Sequence, residues 1–384
     1  MASTSDLGTL DSVVSNAISL ITQLEAVVAG FVSQKQPPVA ADAATGTITS
    51  QTTPDALSLA HDSATLIKAH ATKISLLIIN EPFTPTAITK VIRELVSAPV
   101  PGLVSAVQLC KVDRYTRMVQ SELAWRVSRV VKELRELVSR IPKDGKILKD
   151  AKKNGVAGSA GGKGSIATTG ILWSACDDVI AFTKRGVAGN LTHKVNEYKD
   201  TLKDVMEELK EWGEETGDDD DDEEDDEVNE VTEDFAGTQI SATQSTQDML
   251  DDWMNSQQYI PRDDPNKIRE RLESCLRRLR LTTLLYAATV KRRLKPLPPL
   301  PPSEDSTIPA RLDEVMTILK RIPDRFGNLA LAFYDLDASE IDRLMDQCFF
   351  DAFAASELLV KNWGGEKDEF TDWALKFQVE IKKA

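Results

Sequence analysis

From Asp6 to Phe31, apolar residues fall at Leu7, Leu10, Val14, Ala17, Ile21, Leu24, Val28 and Phe31, in alternating steps of three and four. That spacing draws one continuous stripe along an α-helix, the kind of surface a bundle or coiled coil buries. The period returns at Leu57, Ala60, Ala64, Ile67, Ala71, Ile74 and Ile78, after Pro54 at a position suited to a first helical turn. It is strongest from Leu103 to Ile141, where Val107, Cys110, Val119, Leu123, Val127, Val130, Leu134, Leu137 and Val138 form the inward set. No segment alternates with period two between hairpin turns, so strands are not required. The pattern predicts an all-α chain.

Punctuation divides that chain. Further helices are predicted at 85–96, 171–182, 189–212, 266–294, 307–322, 339–362 and 367–382, with a weak one at 248–259 and a short one at 325–334. The segments 37–53 and 143–170 lack periodicity and read as flexible loops, and KPLPPLPP opens a Pro-rich linker at 295–305. At 384 residues the chain exceeds the size at which one core usually keeps growing, so two bundles are expected. The boundaries read as 1–213 for the first, 214–247 for a linker and 248–384 for the second.

The linker is set apart by charge. Residues 214–234 hold fifteen Asp or Glu and no Lys or Arg, which accounts for the whole net charge of -15. Such a run repels itself and has little apolar surface to bury, so it is expected to be disordered. Apart from spacing the bundles, it could attract Lys-rich partners such as histones, and it makes Thr216, three residues before Asp219, a candidate phosphorylation site. A basic cluster lies at 267–295, with Arg269, Arg271, Arg277, Arg278, Arg280, Lys291, Arg292 and Arg293. It reads as the solvated outer face of a helix, placed to meet the acidic linker; direct nucleic-acid binding is disfavoured. Arg293 with Pro296 and Pro299, or Lys295 with Pro298 and Pro301, fits the basic-x-x-Pro-x-x-Pro pattern of SH3-type ligands, whose polyproline conformation loses little entropy on docking.

Chemistry-bearing constellations are missing from the pattern. GSAGGKGS resembles a phosphate loop only loosely: Ala157 stands where the first glycine belongs, and Gly164 follows Lys163 in place of Ser or Thr. His61, His70 and His193 share no helical ligand spacing, and Cys110, Cys176, Cys275 and Cys348 lie too far apart for a metal or redox motif, reading instead as buried thiols. No catalytic residue, cofactor or metal ligand is therefore assigned. With no continuous apolar stretch of about 18 residues, membrane insertion is not expected.

The order of several blocks carries a resemblance. ILWSAC (171–176), YKDTLKDVMEELKEW ending at Trp212, the acidic run after it, SCLRRLRL (274–281), LDEV (312–315) and NLALAFYD (328–335) together are similar to the cyclin-D-binding, or cyclin-D-interacting, protein family, helix-loop-helix regulators without a basic region. The resemblance implies two bundles like talin and vinculin helical domains. It also implies a non-enzymatic regulator of the cell cycle or transcription, acting by protein contacts in cytoplasm and nucleus. Its partners would be a cyclin or helix-loop-helix transcription regulators. The same architecture leaves open a cytoskeletal or adhesion-type scaffold, and the acidic run an acidic histone-binding chaperone.

Overall fold

The structure, a computed structural model, describes residues 4–33, 55–148, 165–214, 259–302 and 306–383. Among them every regular element is helical. They form α1 (Thr4–Val32), α2 (Ala56–Ile79), α3 (Pro85–Ser97), α4 (Pro99–Leu109), the single turn α5 (Val112–Tyr115), α6 (Arg117–Ser139) and α7 (Ser165–Glu214). Then come α8 (Ile268–Thr289), running into a π turn (Val290–Leu294), α9 (Ile308–Tyr334), α10 (Ala338–Leu359) and α11 (Glu369–Glu380). Thr216, the centre of the acidic run, the loop 37–53, Lys163 and the weak helix at 248–259, except the non-helical Tyr259, lie outside the described residues.

The chain divides into two compact units, Met1–Leu191 with Leu297–Asp313, and Thr192–Pro296 with Glu314–Ala384. The division falls inside α7 and α9 rather than after residue 213. Residues 192–214 join the second unit because Trp212 packs edge-on against Tyr334 at 5.3 Å and the Tyr334 hydroxyl donates to Glu208 at 2.8 Å. The start of α9 joins the first because the Asp313 carboxylate accepts the Arg117 amide at 2.8 and 3.0 Å.

In the first unit the apolar stripes become core. Leu10, Val14, Ala17, Ile21 and Val28 of α1 are buried, with Leu24 and the two end positions Leu7 and Phe31 half-buried, and α1 packs against α6 and α3. All seven stripe positions of α2 are buried, as is every residue of the inward set between Val107 and Val138. By length and composition α1 would also pass as a membrane span, with mean hydropathy 1.4 over its best window, which a search for unbroken apolar stretches misses. Core helices of bundles and segments near an N-terminus pass the same test; five of the eight α1 stripe positions are buried here, while 22 % of that window is buried.

The long helix expected from Leu103 to Ile141 is instead three pieces. Cys110 leaves helical geometry (φ -77°, ψ 63°), and Thr116 adopts φ 98°, ψ 150° while its hydroxyl oxygen accepts the Val119 amide at 3.3 Å, opening α6. The break presents Tyr115 to the start of α2. There its buried hydroxyl donates to Asp55 at 2.7 Å and accepts the Ala56 amide at 3.0 Å. Asp55 in turn caps α2 by accepting the Ser58 amide at 2.8 Å. Cys110 and Val119 of the inward set stand nine residues apart, half a turn out of phase on a continuous helix, so the break left a trace in the periodicity.

α7 begins at Ser165, inside the segment 143–170 read as a loop, and Thr169 of its first turns is buried against Ser75 of α2, hydroxyl to hydroxyl at 3.1 Å. The two helices expected after it are both there, the halves of α7, parted by a kink at Gly186 (φ 66°, ψ -178°), a conformation open essentially to glycine alone. The buried Asn190 side chain donates to the Phe182 and Gly186 carbonyls, both at 2.8 Å, supplying hydrogen bonds beside the kink.

In the second unit Pro323 does not end its helix; α9 runs through it to Tyr334. Proline lacks the N–H that would bond the carbonyl four residues back. That carbonyl belongs to Leu319, and it accepts the hydroxyl of the fully buried Tyr286 at 2.6 Å. A side chain from α8 thus replaces the missing helical donor. One turn along, Arg321 and Arg325 of α9 both reach the buried carboxylate of Asp351 on α10.

Candidate partner-binding groove

The first unit carries an apolar groove with a cavity volume of about 1120 Å³. One wall is the C-terminal end of α1, where Val27 (40 % exposed) and half-buried Phe31 face the opening. Phe31 belongs to the α1 stripe but lies at its end. Val27 lies off the stripe, an apolar side chain that packing with α6 does not consume. The opposite wall is the α4–α6 turn, with Lys111 and Val112, followed by Arg117 and Gln120 of α6. The first turn of α9 closes the end with Ala310 and Asp313.

The break at Cys110–Thr116 builds this groove, because a continuous helix would have no turn there. Asp313 locks the end by taking the first amide of α6. Burial pushes its carboxyl above the usual carboxylate range, a rise that the Arg117 amide, the Arg117 charge and the Met118 amide oppose. The floor is apolar and the rim mixed in charge, an arrangement suited to an amphipathic segment rather than to a chemical step.

The sequence-derived site residues fall elsewhere. Arg293 is buried, 1 % exposed, and cannot serve an SH3-type groove. Its guanidinium pairs with both Asp368 oxygens at 2.7 and 3.0 Å, donates to the Leu359 and Val360 carbonyls, and lies over the Phe370 ring at 4.2 Å. Pro296 and Pro299 are exposed beyond it, as are Lys295 and Pro298 of the alternative register. Sequence could not separate the two uses of this arginine, since a ligand and a core clamp both favour a guanidinium beside prolines.

His61 engages Asp62 and His193 engages Glu197 along their own helices, while His70 meets the Leu66 carbonyl and, on α3, Glu94 at 3.5 Å. All four cysteines are buried and unbridged, and burial pushes the thiols of Cys110, Cys176 and Cys275 up to about 12 and that of Cys348 higher still. They are packing residues, inert at neutral pH. Among the described residues, no group of three or more His, Cys, Asp or Glu could hold a metal ion.

Residues 60–215 match the family described as Grap2 and cyclin-D-interacting, N-terminal. Over that span, under half of the chain, it is similar to the N-terminal region of that family. The match covers the α4–α6 turn and both α6 residues of the groove, whereas the blocks quoted from sequence lie mostly beyond it; only ILWSAC and the helix ending at Trp212 overlap. An uncharacterized protein of Schizosaccharomyces pombe is also similar, 28% identical over 149 residues, which is 38% of this chain and 41% of that protein. The match therefore spans less than half the length of that relative.

The quoted blocks prove to be packing elements. Trp212 packs, tilted and edge-on, against Phe333 and Tyr334 of NLALAFYD, and Cys275 and Leu279 of SCLRRLRL, Leu172 and Cys176 of ILWSAC and Leu312 and Val315 of LDEV are all buried. What made the resemblance legible is therefore mostly buried packing residues. The groove itself was missed. Its one sequence signal was the apolar Val27 standing off a stripe already complete.

Proposed function

We propose that this chain is a non-enzymatic regulatory adaptor that binds partner proteins through its helical surfaces, acting in cell-cycle or transcriptional control in cytoplasm and nucleus. The observation that carries the reading is the open apolar groove of the first unit, partly inside the stretch that matches the cyclin-D-interacting family. Its volume exceeds the roughly 300–1,000 Å³ of small-molecule sites, and its apolar lining suits a partner helix laid in with anchors at i, i+3, i+4 and i+7. The favoured partner is a D-type cyclin, as the family description names it.

Recovery of a D-type cyclin on the immobilised full chain, lost in Val27→Asp, is the expected result; Val27 is exposed enough for the change to leave the bundle folded. Failure of the native chain to retain the cyclin sinks this version. The rival scaffold reading predicts co-sedimentation with filaments. The histone-chaperone reading predicts histone binding that disappears with residues 214–234.

A further inference from the structure

The basic cluster at 267–295 is larger in charge than in free side chains. Ten Lys or Arg against Glu270 and Glu273 give it a net charge of +8 in 29 residues. The folded unit consumes part of this. Arg271 pairs with Asp342, Arg293 with Asp368 and Arg292 with Glu369, while buried Arg278 lies over the Phe349 ring and donates to the Lys383 carbonyl. Left on the outside are Arg280, Lys291 and Lys295, all exposed and, among the described residues, without a carboxylate at ion-pair distance. Steps of four, seven and four through Arg280, Leu284, Lys291 and Lys295 put them on one stripe, with Leu284 51 % exposed at its centre.

The chain outside the description starts and ends beside this helix. Residues 215–258 contain seventeen Asp or Glu and no Lys or Arg. Before them, the Gly213 carbonyl accepts from Arg269 at 3.4 Å; after them, the Ile260 carbonyl accepts from the same guanidinium at 3.3 Å. Both ends are thus held at the N-terminal end of α8. From there to Lys295 is about 40 Å at 1.5 Å per residue. An extended run of 21 residues spans up to about 70 Å, and the 24 that follow suffice for the return. Just past the acidic core the sequence holds the apolar residues Val228, Val231 and Phe235.

We infer that the exposed basic face of α8 and its π turn, carried by Arg280, Lys291 and Lys295, is the docking surface of the chain's own acidic run, residues 214–234. Opposite charges tethered at one end meet at an effective concentration in the millimolar range, so weak screened contacts suffice to keep the face covered. A Lys-rich partner for the run, or an acidic partner for the face, would have to displace this contact. The inference does not depend on the groove, which belongs to the other unit.

The test uses the full chain and a labelled synthetic peptide of residues 214–234. In one variant every Asp and Glu from 215 to 234 becomes Asn or Gln. The neutralised chain should bind the peptide at least about tenfold more tightly than the native chain, whose own run occupies the face. Raising NaCl from about 0.1 to about 0.5 M should weaken that binding. Adding Arg280→Glu, Lys291→Glu and Lys295→Glu to the neutralised chain should abolish it, whereas Val27→Asp should not alter it. Equal affinity of native and neutralised chains, no binding by either, or binding that survives the triple reversal overturns the proposal. Should the triple variant not fold, carbodiimide cross-linking of the dilute native chain decides. Cross-links from 218–227 to Lys291 and Lys295 support the docking, and cross-links to other lysines alone overturn it.

Discussion

Changing Tyr286 to phenylalanine removes one oxygen from the second unit and exposes how the helix tolerates its proline. The Leu319 carbonyl, four residues before Pro323, has the Tyr286 hydroxyl as donor where a helical N–H would stand. Tyr286 is fully buried, so water cannot readily take the hydroxyl's place. A buried carbonyl left unsatisfied costs about 1–3 kcal/mol, so Tyr286→Phe should destabilise the unit by about 2 kcal/mol. For a unit of this size that corresponds to a fall in Tm of about 4–8 °C. The reasoning makes a sharper demand. In a Pro323→Ala background the alanine N–H can bond Leu319, so the same tyrosine change should cost only about 0.5 kcal/mol. The assay is a double-mutant cycle read by hydrogen exchange of α8 and α9 amides. An equal loss in both backgrounds refutes the account.

Gly186→Ala should destabilise the chain by about 1–3 kcal/mol in urea unfolding, because φ 66°, ψ -178° excludes a side chain even though the space around it is open. Arg293→Ala should cost about 3 kcal/mol by stranding Asp368 and two helix-end carbonyls, where a solvent-facing ligand residue would cost almost nothing. Acid titration should find Asp55. Burial alone would raise its carboxyl, but hydrogen bonds from Tyr115 and from Ser58 and Leu57 outweigh that and hold it below 3.8. Its contribution is therefore complete above pH 3.8 and lost as pH falls through the lower folded value, so Asp55→Asn should flatten the acid limb of the stability curve of the first unit.

Helix existence was legible wherever a stripe ran through a well-packed interior, as in α1, α2 and α6, because burial imposes the 3.6-residue period directly. The interruptions were less so, since their causes are distant in sequence. The break before α6 answers to Asp55, about sixty residues away, and the continuity of α9 through Pro323 depends on Tyr286. The start of α7 at Ser165 rests on Thr169 meeting Ser75. Each is a tertiary hydrogen bond overriding a local propensity.

The binding surface was the least legible part. Arg293 drew attention through a linear pattern and turned out to be a clamp between α8 and α11. The groove is assembled from α1, the α4–α6 turn and the start of α9, so no contiguous segment records it. Only Val27, apolar and off the stripe, hints at it. The basic cluster was correctly placed on a helix, but which of its charges remain on the surface depends on acids at 342, 368 and 369 that the linear sequence does not pair with it.

The most direct test of the adaptor account is calorimetric titration of a D-type cyclin into three versions of this chain: native, Val27→Asp in the groove and Leu331→Asp on the exposed face of α9. Burying a charge in the groove should weaken binding by at least about 2 kcal/mol, or roughly 30-fold. Leu331 is 60 % exposed and outside the groove, so its variant should bind like the native chain. Binding that Val27→Asp leaves unchanged, or no binding by the native protein, would contradict the account.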